Sequence, residues 1–281
     1  MRDSINIIYL IFYKVGGSVQ NTITQSIDTP IIIACAIASV LTTLIPILVS
    51  IVLLVRKKIN TASYFCGVGT FFISQVVLRI PILSLLTTFV PSYKEFSSTM
   101  LGVILIGGLS AGLFEETARL IGAKVLSKHD DVSLKDSISL GLGHSLCEVI
   151  LITGITYVVH FTVLIMINSN TFETFMSALS EQAINDQLKY YTSLTVLDYV
   201  LGIMERCSAI MLHIIDTMLV FYGVKIKKYR YYLLAIAIHT VFNSLAVILS
   251  TYTGYTITEV VLLVLSVTGI VVTVRTLKSR L

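Results

Sequence analysis

Ionisable side chains recur inside long apolar stretches of this 281-residue sequence, where they have the means to activate water or to bind a metal ion. Carboxylates beside neutral imidazoles act as general bases and stabilise oxyanions, and the same groups are ligands for Zn²⁺. Buried Glu and His also relay protons in transporters. Hydrolysis, metal binding and proton transport are therefore all open to the set, which comprises Glu115, Glu116, Arg119, His144, Glu148, Glu205, Arg206, His213, His239 and the amide Asn243.

The spacing of these residues predicts a shared polar layer. Three pairs are four residues apart, namely Glu115 with Arg119, His144 with Glu148, and His239 with Asn243. Four-residue spacing puts both members of a pair on one face of a helix. At 1.5 Å of rise per residue, these pairs and His213 lie roughly 12–18 Å from the same end of their helices. Four facing helices would then build one buried site.

The elements that must position this layer are apolar helices. The sequence is 55% hydrophobic and only 13% charged, with a mean hydropathy of +0.89, whereas soluble domains are about 25% charged. Crossing about 30 Å of hydrocarbon takes about 20 apolar residues. We therefore predict an all-α, polytopic transmembrane bundle of seven spans, at 30–55, 61–90, 99–126, 137–160, 196–223, 231–250 and 256–274.

Basic residues predict the orientation of the bundle. Short clusters such as Arg56–Lys58 and Lys225–Arg230 follow the first, third, fifth and seventh spans, and the intervening loops carry few basic residues. The positive-inside rule then places the N-terminus outside and the C-terminus in the cytoplasm. Short juxtamembrane clusters are typical topology signals, so we expect the lipid bilayer as partner and no nucleic acid.

The remaining segments indicate one membrane domain. We interpret residues 1–29 as an N-terminal leader, too short in its apolar run to span and suited to the interface, and 30–281 as a single transmembrane domain with a catalytic core at 99–250. In the polar stretch 168–195, FETFMSALSEQ has the spacing of a short surface helix. The four cysteines lie singly in different spans, without ligand or disulfide spacing.

Four motifs resemble the YhfC family of bacterial membrane proteins. They are GLFEETARLIGAKVL (112–126), GLGHSLCEVI (141–150), MERCSAIMLHIIDTMLVFYG (204–223) and AIHTVFNSL (237–245). The resemblance covers residues 62–250. It groups the chain with the glutamic-type intramembrane proteases, which include the CPBP or type II CAAX prenyl endopeptidases, the PrsW proteases and bacteriocin self-immunity proteins.

The resemblance implies roles for the polar residues. Glu115 would activate the attacking water with Glu116 as second candidate, and His144 and Glu148 would form the second motif. His213, His239 and Asn243 would hold the water and the oxyanion, with Arg119, Glu205 and Arg206 in support. The implied mechanism is metal-free; if Zn²⁺ is present, its ligands would be Glu148, His213 and His239.

Two departures from the CAAX pattern argue against prenylated substrates. The CAAX type spaces its Arg one residue further from the double Glu than Arg119 stands here, and it ends its second motif in His where this chain has Glu148. The arrangement is closer to that of PrsW. The predicted function is an intramembrane endopeptidase of the bacterial cytoplasmic membrane, acting on a membrane protein or membrane-associated peptide.

Two other classes remain as alternatives. The same scaffold could serve without catalysis, as a binding subunit or a bacteriocin-immunity protein. A proton-coupled transporter could use the same Glu and His, although no inverted repeat is visible.

Residues outside the motifs carry lesser expectations. Arg79 and Glu205 lie at similar depths, which predicts an ion pair above the site. Asp198 and Asp216 are expected to be solvated near the ends of the fifth span, and His160 to lie near the outer interface without a role. Pro81, Gly107 and Gly108 are interpreted as kink and close-packing positions.

Overall fold

A computed structural model describes residues 26–128 and 132–281, and within these ranges the regular structure is entirely helical. In this part of the chain seven helices are long and apolar enough to cross a membrane, as predicted. The fourth is 35 residues long and continues well past the predicted end at residue 160. Most of the leader assigned to residues 1–29 lies outside the described residues. The spans are Thr29–Val55, Thr61–Phe89, Met100–Leu126, Leu134–Asn168, Val196–Lys225, Arg230–Thr253 and Tyr255–Leu277.

Three spans change helix type part-way along. The second, third and fourth contain π-helical segments at Phe72–Arg79, Val103–Leu109 and Val149–Gly154. The α-helical parts around them are Thr61–Phe71, Ile80–Phe89, Met100–Gly102, Ser110–Leu126, Leu134–Glu148 and Ile155–Asn168. The first span is divided at Thr43 into Thr29–Thr42 and Leu44–Val55. Segments of π-helix are rare and frequently accompany functional sites.

Short helices lie between the spans. Pro91–Ser97 follows the second span. The stretch predicted to form one surface helix is interrupted at 176–180: Phe172–Phe175 is helical, and a longer helix begins at Glu181 and ends at Ser193. The side chain of Ser180 caps this longer helix by accepting a hydrogen bond from the amide of Ala183 at 3.3 Å. A serine at this position satisfies an amide that the helix itself leaves unpaired, which explains why the helix begins later than the apolar spacing predicted.

The described residues form two compact units, and the first comprises 26–48 together with Val149–Ile203. Its buried core contains Cys35, Leu164 and Phe172. His160 is only 4% exposed here, so its ring is enclosed by protein, and its depth near the outer interface stays a prediction. Its ring packs at 5.3–6.4 Å from four tyrosine rings, those of Tyr157, Tyr190, Tyr191 and Tyr199.

The second unit comprises Val49–Glu148 and Met204–Leu281, and it holds every residue proposed for the site. Two glycines let its second and fourth spans touch backbone to backbone. A Cβ atom at Gly67 would lie 2.1 Å from the carbonyl oxygen of Leu140, and one at Gly143 would lie 2.0 Å from that of Tyr64. Small residues permit such close approach between membrane helices. The contact brings His144 against the second span.

Glycines also join the third and sixth spans. A Cβ atom at Gly108 would lie 2.3 Å from the side-chain oxygen of Ser244, as its interpretation as a close-packing position requires. A Cβ at Gly112 would lie 2.9 Å from the hydroxyl of Thr240. This contact sets Glu115 and Glu116, one turn further along the third span, beside His239 of the sixth.

Candidate active site

Glu115 is the centre of the polar layer. Its carboxylate lies within ion-pairing distance of three imidazoles from three other spans, at 3.0 Å from His144, 3.8 Å from His213 and 3.7 Å from His239. Arg119, one turn along the same helix, approaches it to 3.2 Å. The side chain of Glu115 is 6% exposed. The structure therefore brings together residues that the sequence spreads over 125 positions from Glu115 to His239.

The position of the proton on His144 follows from its neighbours. Thr70 donates its single hydroxyl proton to the carbonyl of Gly67 at 2.7 Å, so it accepts from Nδ1 of His144 at 3.0 Å. Nε2 of His144 then faces Oε2 of Glu115 at 3.0 Å. An unprotonated ring nitrogen and a carboxylate would repel one another there. The gap consequently holds a proton or a cation.

His213 is oriented by Arg119 and Glu148. Guanidinium groups only donate, so Nη2 of Arg119 donates to Nδ1 of His213 at 2.7 Å. The proton of the neutral ring is therefore on Nε2, which lies 2.6 Å from Oε2 of Glu148. That oxygen still lacks an aligned hydrogen bond, because the approach is close in distance but poor in angle. Both nitrogens of His213 are thus engaged within the protein.

His239 lies between two further carboxylates. Its Nδ1 is 3.0 Å from Oε1 of Glu116 and 3.3 Å from Oδ2 of Asp216. Two acceptors on one nitrogen require that Nδ1 carries the proton. Nε2 is then directed toward Glu115. Imidazoles held by a carboxylate at one nitrogen and open at the other are typical of metal ligands and of general bases.

Asp216 is a site residue that the sequence reasoning missed. It was expected to be solvated, yet it is fully buried. Neither of its oxygens accepts an aligned hydrogen bond, although one is near His239. The signal was present: Asp216 follows His213 by three residues, which places both on one helix face. Its depth was misjudged because it was assigned to the end of its span.

An ion-pair chain extends from the layer. Arg206 donates to Glu148 at 3.0 Å and pairs with Glu205, so these two supporting residues join the site through Glu148. The predicted pair between Arg79 and Glu205 was wrong. Arg79 instead donates to the side chain of Ser110 and to the carbonyls of Ile106 and Gly107 in the π-helical segment of the third span. It satisfies backbone oxygens that the altered helix exposes.

Asn243 is not part of this contact network. It is half-buried one turn beyond His239, and no hydrogen bond joins it to the cluster within the described residues. It lies on the same helix as His239, and its role as an oxyanion donor stays a prediction.

The donor atoms fall into two groups suited to a metal ion. Ligand atoms of Glu115, His144, Glu148 and His213 lie within 4.8 Å of one another, and so do those of Glu116, Asp216 and His239. Carboxylate oxygen and imidazole nitrogen are the ligands that Zn²⁺ takes. Of the ligand set predicted for Zn²⁺, Glu148 and His213 are in the first group and His239 in the second.

Unsatisfied atoms and charge both favour a cation in this region. Buried oxygens of Glu116, Glu148 and Asp216 lack hydrogen-bond partners in the described ranges. Together with Glu115 these are four carboxyl groups, and in the described residues two guanidinium groups pair with them, Arg119 with Glu115 and Glu116, and Arg206 with Glu148. Uncompensated charge is costly in a membrane interior. The residues present therefore fit a metal ion, and protons bound to the carboxylates would neutralise the same negative charge.

Comparison with known proteins identifies the family. A family model described as YhfC intramembrane metalloprotease matches residues 41–264. The membrane protein YhfC of Bacillus subtilis (strain 168), itself described as uncharacterized, is 32% identical over 189 residues, which are 66% of this chain and 72% of the relative. No solved structure matches. This multi-pass integral membrane protein belongs to the YhfC family.

Proposed function

We propose that this protein is an intramembrane endopeptidase in which Glu115 activates the water that attacks a peptide bond. The substrate is a membrane protein or membrane-associated peptide, which must enter the second unit between its spans. The observation that carries the proposal is the contact of one buried carboxylate with three imidazoles from three other spans. A general base must lie within reach of the group whose proton it takes and of the group to which it passes that proton.

The proposed proton path begins at Glu115. A water beside its carboxylate gives up a proton as it attacks the peptide carbonyl. His144 and His239 each direct Nε2 toward this carboxylate, and each is held at Nδ1 by a neighbour. Either ring can therefore accept the proton and return it to the leaving amine without turning. Fixed partners of this kind reduce the reorganisation that catalysis would otherwise require.

Arg119 and Glu116 position these groups. Arg119 contacts Glu115, Glu116 and His213, so it fixes both carboxylates and one imidazole together. Asn243 would reach the oxyanion once substrate enters, because its side chain lies one turn from His239 on the sixth span. An amide donor aimed at the developing negative charge contributes about 3–4 kcal/mol in known hydrolases.

The family description raises metal dependence. When bound, a divalent ion would be held by Glu115 and His144, with Glu148 from the same group, and would supply a more acidic water and a polarised carbonyl. His213 is the weaker donor in that group because both of its nitrogens are already engaged. Glu116, Asp216 and His239 form the other set of donors.

The test is cleavage of a transmembrane-peptide library by detergent-purified protein. We expect Glu115→Gln to reduce cleavage by about 10³-fold, within the range that a general base contributes. Glu116→Gln should retain roughly 1–10% of activity, because that residue positions its neighbours. Glu95→Gln is the matched control in an exposed segment and should be unaffected. Thermal unfolding establishes that each variant is folded.

Other outcomes would assign other functions. Folded wild type that cleaves nothing, while binding a partner equally well with Glu115→Gln, would indicate a scaffold or immunity protein. If wild type cleaves nothing but carries a pH-dependent flux that Glu115→Gln abolishes, the protein is a transporter. Metal analysis of the same preparations and of His239→Ala distinguishes a metal-dependent from a metal-free mechanism. Activity that tracks stoichiometric Zn²⁺ supports a metal site, and full activity of protein freed of metal by a chelator supports the glutamate mechanism.

A further inference from the structure

A cavity of about 300 Å³ lies at the lysine-rich ends of the third, fifth and sixth spans, away from the glutamate–histidine layer. All of its lining residues belong to the second unit. Its floor is apolar and includes Leu120 and Val220. Its wall is formed by three lysines and two tyrosines, which are Lys124, Lys227, Lys228, Tyr229 and Tyr232.

The lysines in the wall are positioned by contacts within the protein. Lys124 donates to the hydroxyl of Tyr229 at 2.9 Å and lies 4.8 Å from the centre of that ring. The amide of Lys228 donates to the carbonyl of Gly223 at 2.8 Å, so the chain folds back and brings Lys227 and Lys228 over the end of the fifth span. Within the described ranges, no carboxylate forms an ion pair with any of these three lysines.

The surface beside the cavity is suited to lipid chains. Tyr232 of the sixth span and Thr117 of the third share an exposed hydrogen bond of 2.8 Å. Large apolar side chains near this contact are strongly exposed, Ile121 at 59% and Leu233 at 60%. In a membrane protein, exposed residues of this kind face acyl chains. The cavity therefore combines a cationic wall with an apolar floor and an apolar neighbouring surface.

We infer that this cavity binds the phosphate headgroup of an anionic phospholipid. Lysine ammonium groups and tyrosine hydroxyls donate to phosphate oxygens, and basic pockets between membrane helices are suited to lipid headgroups. The apolar floor and the adjoining exposed side chains receive the start of the acyl chains. This inference does not depend on the proposed proteolysis, since none of the wall residues contacts Glu115 or its imidazoles.

Lysine clusters also arise simply as topology signals, so the test uses a matched pair. Lys57 and Lys58 are likewise adjacent and exposed after a span, and Lys57 has φ 52°, against 56° for Lys227. They do not line the cavity. The full chain in detergent is titrated with short-chain phosphatidylglycerol, with phosphatidylcholine of equal chain length, and with glycerol phosphate, and binding is followed by native mass spectrometry.

We expect saturable binding of one phosphatidylglycerol, at least about tenfold tighter than phosphatidylcholine or glycerol phosphate. The Lys227→Gln, Lys228→Gln double variant should weaken it by about 30-fold, and Lys57→Gln with Lys58→Gln by less than about threefold. Lys124→Gln is a second, single test at the lysine held by Tyr229 and should weaken binding by roughly fivefold.

Three results would overturn the inference. Equal weakening by both lysine pairs would show only general electrostatic attraction. Phosphatidylcholine binding as tightly as phosphatidylglycerol would indicate an apolar groove without headgroup selection. Glycerol phosphate binding as tightly as the lipid would assign the cavity to a soluble phosphate. Unchanged thermal unfolding of the lipid-free variants excludes a folding defect as the cause.

Discussion

Two histidines of the fourth span, His144 in the second unit and His160 in the first, are almost fully buried and have opposite surroundings. His144 lies against the carboxylate of Glu115 and the hydroxyl of Thr70. His160 packs against the rings of Tyr157, Tyr190, Tyr191 and Tyr199. Burial alone therefore does not distinguish a reactive imidazole from a packed one. The partner groups do, because a carboxylate gives the ring somewhere to send a proton.

Replacing each histidine by phenylalanine tests this comparison most strongly. His144→Phe should lower cleavage by about 10³-fold, since it removes the nitrogen that faces Glu115. His160→Phe should retain activity within about twofold, because phenylalanine also packs among tyrosine rings. Peptide cleavage and thermal unfolding are measured for both. Equal losses of activity would mean that the two environments do not differ in the way proposed.

Moving the helix that carries His144 should have the next largest effect. In Gly67→Ala the new methyl would lie 2.1 Å from the carbonyl oxygen of Leu140, so the second and fourth spans must separate. A displacement of about 1 Å at a catalytic group can cost about 10²-fold in rate. Gly69→Ala is the control, because nothing lies within 4 Å of its Cβ position. Full activity of Gly67→Ala would contradict the need for this close approach.

Asp216, a fifth-span residue beside His239 of the sixth span, extends the comparison to a pair of aspartates. Asp216→Asn removes the carboxylate 3.3 Å from Nδ1 of His239, and we expect roughly 10–100-fold lower cleavage. Asp198→Asn makes the same chemical change at the start of the fifth span. There Oδ2 accepts from the amide of Thr195 at 2.7 Å, a capping role that asparagine can fill. Activity should therefore survive, and a loss in both variants would argue against a specific role for Asp216.

Thr70 gives the smallest effect and the most specific one. Thr70→Val keeps the shape but removes the acceptor for Nδ1 of His144, and a loss of about tenfold is expected. Thr70→Ser should restore activity because it can again accept and donate. Thr87→Val, which removes a hydroxyl that donates only to the carbonyl of Leu83, is the control in the same span. Failure of the serine variant to recover would point to packing rather than to proton placement.

Much of the layer was predictable because depth and helical spacing follow from counting residues. Glu115 and Arg119, four apart, do contact one another. His144 and Glu148 share a helix face as predicted, yet each contacts a different partner, Glu115 and His213 respectively. Spacing fixes the height and face of a side chain along one helix. It does not say which neighbouring helix faces it, so the partners required the structure.

The same limit explains the failures. Arg79 and Glu205 have similar depths, but depth says nothing of rotation about the helix axis, and they do not pair. Thr70 carried no signal, because hydroxyl residues are common in membrane helices and usually bond their own backbone. The fold class and seven spans were confirmed. The orientation of the termini and the catalytic roles stay predictions.

The π-helical segment Val103–Leu109 has a consequence for how this protein tolerates change in length. A π-helical bond reaches back five residues instead of four, so the chain leaves such a segment out of phase with the α-helix that entered it. Arg79 holds this segment through the carbonyls of Ile106 and Gly107, just before the helix that carries Glu115. Deleting one residue inside this segment would let it close as α-helix with Glu115, Glu116 and Arg119 still facing their imidazoles. Deleting one residue at 110–114, between the segment and Glu115, would turn all three by about 100° away from them. This one-residue deletion at 110–114, which removes no partner of an imidazole, would then be as damaging as the loss of Glu115 itself.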